Sequence, residues 1–509
     1  LNLMKDGKAT TNYDSNESYT QRDALREAYV DAEFNDWSIR AGKQQVVWGT
    51  ADGMKLLDAI NPTDYTEMAQ NQMEDSRIPV WMVNAEKDLT TGGNIQLIAS
   101  QAKGHKIAGL NASGDQGHAF VMKGVDSITG KVNGFYNIAP ALSGVAKFFV
   151  NAGGGRGSNF LGGFSGATVN NFANEVAAGE VTSFAGLCAA STNTTGATGS
   201  ADAVCLSGLA NDSGATDAAG YGAAVKGGNG EGTNLIQATN AEFDPTNPDS
   251  TFEYMGNTTF ATFDAMTKAK SQYVYNMPES TDLDMALRYK NTTANGVNYT
   301  ANYSYNYDKN PIINLSWRND AGSELITTRT HNATYSTTTL KLTDSDGGQY
   351  GVFGNAGTSA GIATLRFEQT VKRAHNIGGS FDSAVETEAL GPVVLRGEAL
   401  YQKDVYSPVM DLTALSIGDL PAALTMVKGD RFKYVLGADI TALTNMMISA
   451  QFIQDRNLDY VDTTSTINDH TLNRFTSDYA TMHMTNGFNK AEKDKNFYSL
   501  FFSKPFGAS

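Results

Sequence analysis

Charged residues are scarce in this chain of 509 residues, because Asp, Glu, Lys and Arg make up 18% of it against roughly 25% in ordinary soluble domains. Bases are scarcer than acids: 38 Lys and Arg stand against 54 Asp and Glu, and the formal net charge is −16. Proteins that bind nucleic acid neutralise phosphates with clustered Lys and Arg. The composition therefore argues against nucleic acid as a partner.

Long apolar runs are missing as well. A helix that crosses a bilayer needs about 20 mainly apolar residues, and the long uncharged stretch at residues 181–201 is full of Ser, Thr and Gly. Residues 1–13 lack the apolar core of a secretory signal, so we expect a mature or trimmed chain. Aromatic residues reach 10%, and with long patterned segments they argue against disorder.

Cysteine is nearly absent, with Cys188 and Cys205 in a segment of Gly, Ala, Ser and Thr. The pair predicts one disulfide that closes a small loop and contributes about 3 kcal/mol. A disulfide implies an oxidising compartment such as the periplasm or the cell exterior. Two unpaired thiols are the alternative, and a metal site is disfavoured because no His or second Cys pair lies nearby.

Few features indicate chemistry. The chain has six His, residues 163–167 miss the last Gly of a nucleophile elbow, and residues 153–157 lack the Lys of a phosphate loop. We therefore expect no enzyme, no catalytic residue, no cofactor and no metal. Residues 244–249 and 344–348 resemble fragments of calcium loops, so a structural Ca²⁺ in a loop is the alternative, although turn chemistry explains them more simply.

What the sequence has is strict two-residue periodicity. At residues 297–308 apolar and aromatic side chains alternate with polar ones, and residues 283–289 alternate in the same way. An extended strand places successive side chains on opposite faces, so each segment has one apolar and one polar face. Asn295 and Gly296 between them predict a hairpin turn.

The same pattern occurs at residues 27–34 and 37–42, on either side of Asn35 and Asp36, and again at residues 393–401. Acids and bases together on one face, with apolar groups on the other, fit a barrel that is wet inside and apolar outside. The polar faces supply the predicted lumen residues, which are Glu27, Asp31, Glu33, Arg40, Asn302, Arg396 and Glu398.

At least a dozen segments of this kind, each of about 8 to 12 residues, are long enough to cross a bilayer at a tilt. We predict an all-β fold in which residues 1–509 form a single transmembrane antiparallel β-barrel of about 14 to 18 strands in a bacterial outer membrane. Aromatic residues at 497–506 look like the terminal signal by which barrels are recognised during assembly. A soluble β-sandwich shows similar alternation and is the alternative.

Residues 101–280 differ from the rest, with little alternation and many glycines. A loop-rich insertion of this length usually signals a functional loop or a plug. Two interpretations stay open here, a constriction of the pore and an outward-facing surface loop.

Three stretches near the N-terminus, residues 40–53, 58–64 and 74–82, resemble a proteobacterial outer-membrane barrel family that has long been catalogued as a domain of unknown function. Residues 25–29, 391–401 and 434–439 fit the same family. The pattern departs in two respects: a further pair of strands usually precedes residue 25, and the cysteine-bearing insertion is not part of it. The family implies an outer-membrane channel, suspected of moving hydrophobic compounds and sometimes encoded near envelope exporters.

Within the resembling region the strand ends near Trp48, and the glycines that follow allow a tight segment that folds inward. The motif side chains expected to form a charged network on the barrel wall are Lys43, Asp52, Lys55, Asp58, Asp64 and Arg77. Anchoring of a turn is the favoured interpretation of this network over contact with a ligand.

Two functions follow. The first is a passive pore for small solutes, hydrophobic ones included, in contact with outer-membrane lipid and lipopolysaccharide. The second is a structural or adhesive protein that acts through residues 101–280 and 412–429. A second copy of the chain and the components of an envelope exporter are the further partners considered.

Overall fold

The structure, a computed structural model, describes residues 25–49, 51, 55–64, 73–105, 168, 255–259, 262, 270–279, 281–310, 312–333, 337–350, 359–388, 390–442, 445–477 and 490–504. The strands are β1 Ala28–Phe34, β2 Trp37–Gln44, β3 Val80–Asp88, β4 Asn94–Gln101, β5 Lys270–Asn276, β6 Leu283–Thr292, β7 Asn298–Tyr307, β8 Ile312–Arg318, β9 Ile326–Asn332, β10 Thr337–Thr343, β11 Gln349–Tyr350, β12 Ser359–Gly361, β13 Thr364–Thr370, β14 Arg373–Thr387, β15 Gly391–Asp411, β16 Leu424–Ala442, β17 Met446–Asn457, β18 Asp462–Ile467, β19 His470–Thr476 and β20 Asp494–Ser503. The helices are α1 Met73–Ser76, α2 Leu412–Ser416 and α3 Leu420–Ala423.

Most of these strands belong to one antiparallel sheet. Its path runs β1-β2-β3-β4-β6-β7-β14-β15-β16-β17-β20, and the β18–β19 hairpin attaches to the far end of β15. The smaller sheets are β12-β11-β10-β9 and β5-β13-β8. The described chain is thus mostly antiparallel β-structure with very little helix, which confirms the predicted all-β class. None of its helices has the length and hydropathy that a membrane crossing requires.

The hairpins form where the turn chemistry predicts them. Asn35 and Asp36 both have positive φ, which is the backbone of a two-residue type I′ loop. Between β6 and β7, Gly296 has φ 79 and donates its N–H to the carbonyl of Thr293. The β6–β7 hairpin predicted from alternation is therefore confirmed, and its register pairs Leu287 with Tyr303.

The connections of the main sheet fall into two classes. Short turns join β1 to β2, β3 to β4, β6 to β7, β14 to β15 and β16 to β17. Because successive strands are antiparallel, all five lie at one end of the sheet, the short-turn end. The connections after β2, β4, β7, β15 and β17 are all longer and lie at the opposite end, the long-connection end.

One face of the main sheet is apolar and exposed along its whole path. The register puts these side chains on a common face, since directly opposed residues share one. Exposure reaches 72% at Val30 on β1 and 81% at Tyr498 on β20. The large exposed members are Val30, Trp81, Val83, Leu97, Met285, Leu287, Tyr303, Tyr305, Ile377, Phe381, Leu395, Leu436, Tyr498, Leu500 and Phe502.

The opposite face, called the inner face, is mainly polar and is buried. Its buried side chains are Val80, Met82, Gln96, Ile98, Ser100, Asp284, Ala286, Asn302, Ser304, Asn306, Asn376, Glu398, Leu400, Val435, Ser449, Gln451 and Ile453. Polar groups away from water require hydrogen-bond partners, and several of these supply each other. Ser304 donates to Asn306, Asn376 donates to the same amide oxygen, and Gln402 donates to Asn376.

The path has two unpaired edges. In the part of the chain that the structure describes, β1 pairs with β2 alone and β20 with β17 alone. The eleven-strand path is therefore an open one, and closure into a barrel remains a prediction.

Candidate functional site: a segment on the inner face

The chain turns onto the inner face directly after β2. Residues 46–49, 51 and 55–64, here called the inward segment, pack against this face with their apolar side chains, and Leu57 is 2% exposed. The cluster joins Val46, Trp48, Ala51, Leu56, Leu57 and Ile60 of the segment to Val80, Met82, Ile98, Ala286, Leu400, Val435 and Ile453 of the strands. The segment therefore covers the inner face as a second layer.

The sheet curves around this segment. The strand residues of the cluster come from β3 at one side to β17 at the other. In a flat sheet these two strands would lie about 33 Å apart, from seven spacings of roughly 4.8 Å. One short segment packs against both groups, so the two sides of the sheet bend toward each other over it.

Two side chains fold the segment onto itself. Asp58 Oδ1 accepts from the backbone N–H groups of Trp48 and Gly49 at 2.8 and 2.9 Å. Asn61 accepts from the N–H of Val46 and donates to the carbonyls of Gln44 and Ile78. Short Asp and Asn side chains suit this role because they hydrogen-bond nearby backbone groups.

Three hydrogen bonds tie the segment to distant strands. Trp48 Nε1 donates to Gln96 on β4, and Asn306 on β7 donates to the carbonyl of Ala59. The backbone N–H of Ala51 donates to Oε1 of Glu398 on β15 at 2.8 Å. The segment is thus held from both sides of the curved sheet.

The charged motif residues, expected to form a network on the barrel wall, hold the inward segment and its neighbours together. Arg77 reaches Asp58 Oδ2 through Nε at 3.0 Å and Nη2 at 2.5 Å, with the two side chains 6% and 3% exposed. Lys43 donates to the carbonyl of Leu25, and Asp64 is buried. Lys55 donates to hydroxyls, as described below. Asp52 lies outside the described residues.

The predicted lumen residues all lie on the inner face or at its edge, but they do not form one ring. Arg40 and Asp31 make an exposed ion pair across β1 and β2 at 2.7 Å, next to exposed Glu33 and Glu27. Arg396 on β15 donates to Asp439 on the adjacent strand β16 and to Ser449 on β17, the strand beyond it. Asn302 and Glu398 instead lie under the inward segment and are buried.

Asn302 is 7% exposed, and neither its amide nitrogen nor its oxygen hydrogen-bonds a described residue. Its neighbour in register is Arg288, whose guanidinium carbon lies 5.5 Å from the centre of the Trp48 ring. Sequence reasoning missed Arg288 and Gln96, although both occupy polar positions of alternating strands.

A basic cluster lies on the long-connection side of the inward segment. Lys55 Nζ donates to Ser76 Oγ at 2.6 Å and to Thr63 Oγ1 at 3.4 Å. Thr63 donates its backbone N–H to Nδ1 of His105, and His105 donates its own N–H to the carbonyl of Lys309. Arg431 and Lys433 on β16 complete the cluster. They share a face with Val435 because positions 431, 433 and 435 are two residues apart along the strand.

The cluster contains carboxylates that pair with some of these bases. Lys309 lies 2.5 Å from Asp284, and Arg431 engages Asp455 with two hydrogen bonds of 3.2 Å. Asp308 accepts from the N–H of Asn310, and its burial raises the pKa of its carboxyl.

The pKa values report the local field. Burial lowers the pKa of His105 to about 3, with repulsion from Lys309, Lys55 and Lys433 acting in the same direction. Burial likewise lowers the pKa of Lys55 to about 8, helped by Arg77 and opposed by Asp58. No sequence motif marks His105 or Lys309. Their contacts join residues that follow β2, β4 and β7, which are far apart in the sequence.

A cavity of about 440 Å³ opens at the long-connection end. It lies between β8, β9 and α3. Its apolar lining residues are Leu315, Trp317, Leu325, Ile326 and Pro421, and its polar ones are Ser316, Thr327 and Glu324. The tip of the β15–β16 hairpin also meets the predicted insertion, since Thr258 donates to the carbonyl of Ser416.

Several predictions fall outside the described residues. These are the disulfide between Cys188 and Cys205, the loops at residues 153–157, 163–167 and 244–249, and most of residues 101–280. At residues 344–348 the Asp344 carboxylate accepts from the backbone N–H groups of Asp346 and Gly348. No group of three His, Cys, Asp or Glu side chains in the described part of the chain is placed to hold a metal ion.

Comparison with protein families places the N-terminal region. Residues 3–136 match the model of a family described as "Protein of unknown function (DUF1302)". The match spans the inward segment and β1 to β4, and it agrees with the resemblance to a family of unknown function. Searches of curated proteins and of solved structures found no match.

Proposed function

We propose that this protein is an outer-membrane channel that passes small solutes, hydrophobic ones included, through a lumen narrowed by the inward segment. The observation that carries the proposal is the two-faced sheet. Its outer face is apolar and exposed from β1 to β20, whereas soluble monomers rarely expose contiguous apolar patches above a few hundred Å². A lipid environment accounts for such a face.

The arrangement of the connections supports the same proposal. Outer-membrane barrels have short turns on the periplasmic side and longer loops outside, and the short-turn and long-connection ends follow this division. Aromatic pairs lie toward both ends of the strands, as interfacial girdles do. Tyr289 and Tyr299 stand 6.2 Å apart near one end, and Tyr305 and His375 stand 4.7 Å apart near the other.

The inward segment supplies the constriction in this proposal. It packs against buried polar side chains on facing parts of the curved sheet, and its hydrogen bonds to Gln96, Asn306 and Glu398 hold it across the lumen. The cavity at the long-connection end, whose apolar side chains lie beside Ser316, Thr327 and Glu324, supports an entry site for solutes that have an apolar part and a polar group.

Planar-bilayer recording and liposome swelling with the purified, folded protein test the proposal. We expect stepwise conductance and entry of small uncharged solutes into proteoliposomes. Folded protein that gives neither signal would exclude the channel.

An adhesive or structural role is the second candidate, favoured by the folded cap at the long-connection end. There α2, α3 and the β18–β19 hairpin share a core that includes Met410, Leu415 and Phe475. Deletion of residues 106–254 spares β5 and separates the two roles. If these residues act on the channel, the deletion raises its conductance and leaves binding to cells unchanged. If they are adhesive, the conductance is unchanged and binding to cells is lost.

A further inference from the structure

We propose that the basic cluster beside the inward segment is an anion-binding site, in which Lys55 and Lys433 take the carboxylate of a small organic solute on its way through the lumen. This inference rests on the proposed channel function. It adds a substrate class that the chain's net charge of −16 would not suggest.

Lys55 carries a charge that no described carboxylate neutralises directly. Its ammonium donates to two neutral hydroxyls, those of Ser76 and Thr63. The acid whose charge acts on Lys55, Asp58, already accepts from Arg77 and from two backbone N–H groups. Lys55 therefore keeps donor capacity and positive charge for a further anion.

Lys433 is in a similar position. Its ammonium lies 3.9 Å from Asp455, whereas Arg431 engages both oxygens of that carboxylate at 3.2 Å. The register places a third base, Lys495, opposite Asp455 on the other side. Three bases thus stand against two acids, Asp455 and Asp308, in the electrostatic surroundings of Lys433, which leaves positive charge there.

The remaining acids of the cluster do not offset this excess. Asp284 is 3% exposed and is paired with Lys309. Burial raises the pKa of the Asp308 carboxyl, which weakens its hold on a negative charge. Burial is the main cause of the lowered pKa of His105, and repulsion from Lys309, Lys55 and Lys433 lowers it further, which is consistent with a positive field at this point.

The location of the basic cluster beside the inward segment determines how strongly its positive charge acts on a solute. Charges farther than a Debye length, about 8–10 Å at moderate salt, are largely screened. Acids on distant loops therefore contribute little beside the inward segment, where the field is focused by partly desolvated walls. Side chains of Lys433 and Arg431 are 24% and 23% exposed, so a solute in the lumen can contact them.

Reversal potentials in a KCl gradient test the site. We expect the wild-type channel to prefer chloride over potassium. Lys55→Gln and Lys433→Gln should each lower the chloride-to-potassium permeability ratio by roughly threefold to tenfold, the effect of one charge a few ångströms away in a partly hydrated site. The double variant should lose the preference, and benzoate should reduce chloride current in the wild type and not in the double variant.

Lys428→Gln is the matched control, since it removes the same charge from the same strand at an exposed position paired with Asp404. Its permeability ratio should stay at the wild-type value. Lys55→Arg, which keeps the charge, guards against loss of folding. Conductance with a preference for potassium, or ratios unchanged in both glutamine variants, overturns the anion site and leaves the channel intact. Absence of conductance in folded wild type overturns the channel itself.

Discussion

Glu398 on β15 accepts a 2.8 Å hydrogen bond from the backbone N–H of Ala51, although 347 residues separate them in the chain. Ala51 lies within residues 3–136, which match the family of unknown function, whereas Glu398 lies far outside that match. The contact shows that the inward segment is fixed by a strand from the distant C-terminal half of the chain.

Loss of this anchor should loosen the inward segment. Glu398→Ala removes a charged acceptor, and hydrogen bonds to charged groups contribute about 1.5–3 kcal/mol. We expect a higher or noisier single-channel conductance with the barrel still folded. Glu386→Ala, at an exposed position of β14, is the control. Identical traces for wild type and Glu398→Ala would show that the segment does not limit flow.

The buried pair of Arg77 and Asp58 predicts large losses of stability from either single variant. Arg77→Met leaves the buried Asp58 carboxylate without its cation, which costs about 3–5 kcal/mol. Asp58→Asn keeps an oxygen that accepts from Trp48 and Gly49 but leaves the buried Arg77 guanidinium without its anion, which also costs about 3–5 kcal/mol. Urea unfolding followed by tryptophan fluorescence measures both. A loss below about 1 kcal/mol for either variant would contradict the assignment of this pair as an anchor.

Anion preference should depend on pH through Lys55. Its pKa is lowered from 10.5 to about 8, so its charge is lost as pH rises through about 8, and the chloride preference should fall over that interval. His105 stays neutral there, because its pKa is about 3. Folding disfavours the charged form of Lys55, so the unfolded chain holds this proton more tightly. The free energy of unfolding therefore rises as pH increases from about 8 to 10.5.

The guanidinium of Lys55→Arg stays charged through the same interval, so this variant provides the control. Its permeability ratio should hardly change as pH rises through about 8. A wild-type ratio that ignores pH would remove Lys55 from the site.

The outer face predicts sensitivity to charge. Leu436 lies mid-strand on β16 and is 51% exposed, so Leu436→Arg should destabilise the folded protein in lipid by about 2–4 kcal/mol. Thr464→Arg, at an exposed position of β18, should have little effect. Folding titrations in phospholipid vesicles compare the two. Equal stabilities would indicate that Leu436 faces water.

The apolar side chains that line the cavity at the long-connection end predict that an aromatic solute binds there. Ile326→Ser removes exposed apolar surface from its wall, worth about 1–1.5 kcal/mol, and should weaken binding of a fluorescent naphthalene probe by roughly fivefold to tenfold. Ile362→Ser, at an exposed position outside this cavity, is the matched control. Equal probe binding by both variants would remove the cavity from the route.

Sequence alone predicts the strands and their faces well. Alternation identifies the β6–β7 hairpin and the polar face that carries Asn302 and Glu398, because period two follows directly from extended geometry. It also places Arg40 beside Asp31. These features depend on neighbours in the chain or across one turn.

The candidate site is harder to predict, for a physical reason. Leu56, Leu57 and Ile60 show no regular period, since irregular chain packs by contacts with strands far away in sequence. Lys55, His105 and Lys433 come from three separate parts of the chain, and their mutual field exists only once the sheet has curved. Residues 40–64 indicate that the chain turns inward after β2. The strand residues that this segment contacts, such as Gln96 and Glu398, can be identified only once the strand order is known.

The number of strands in the main-sheet path restricts how this sheet can close into a barrel. Each step along its eleven strands reverses direction, so β1 and β20, its first and last members, point the same way. Antiparallel hydrogen bonds cannot join them directly. A cylinder made from this sheet needs an odd number of additional strands at the seam, and a single strand running from the short-turn end to the long-connection end would satisfy both edges at once.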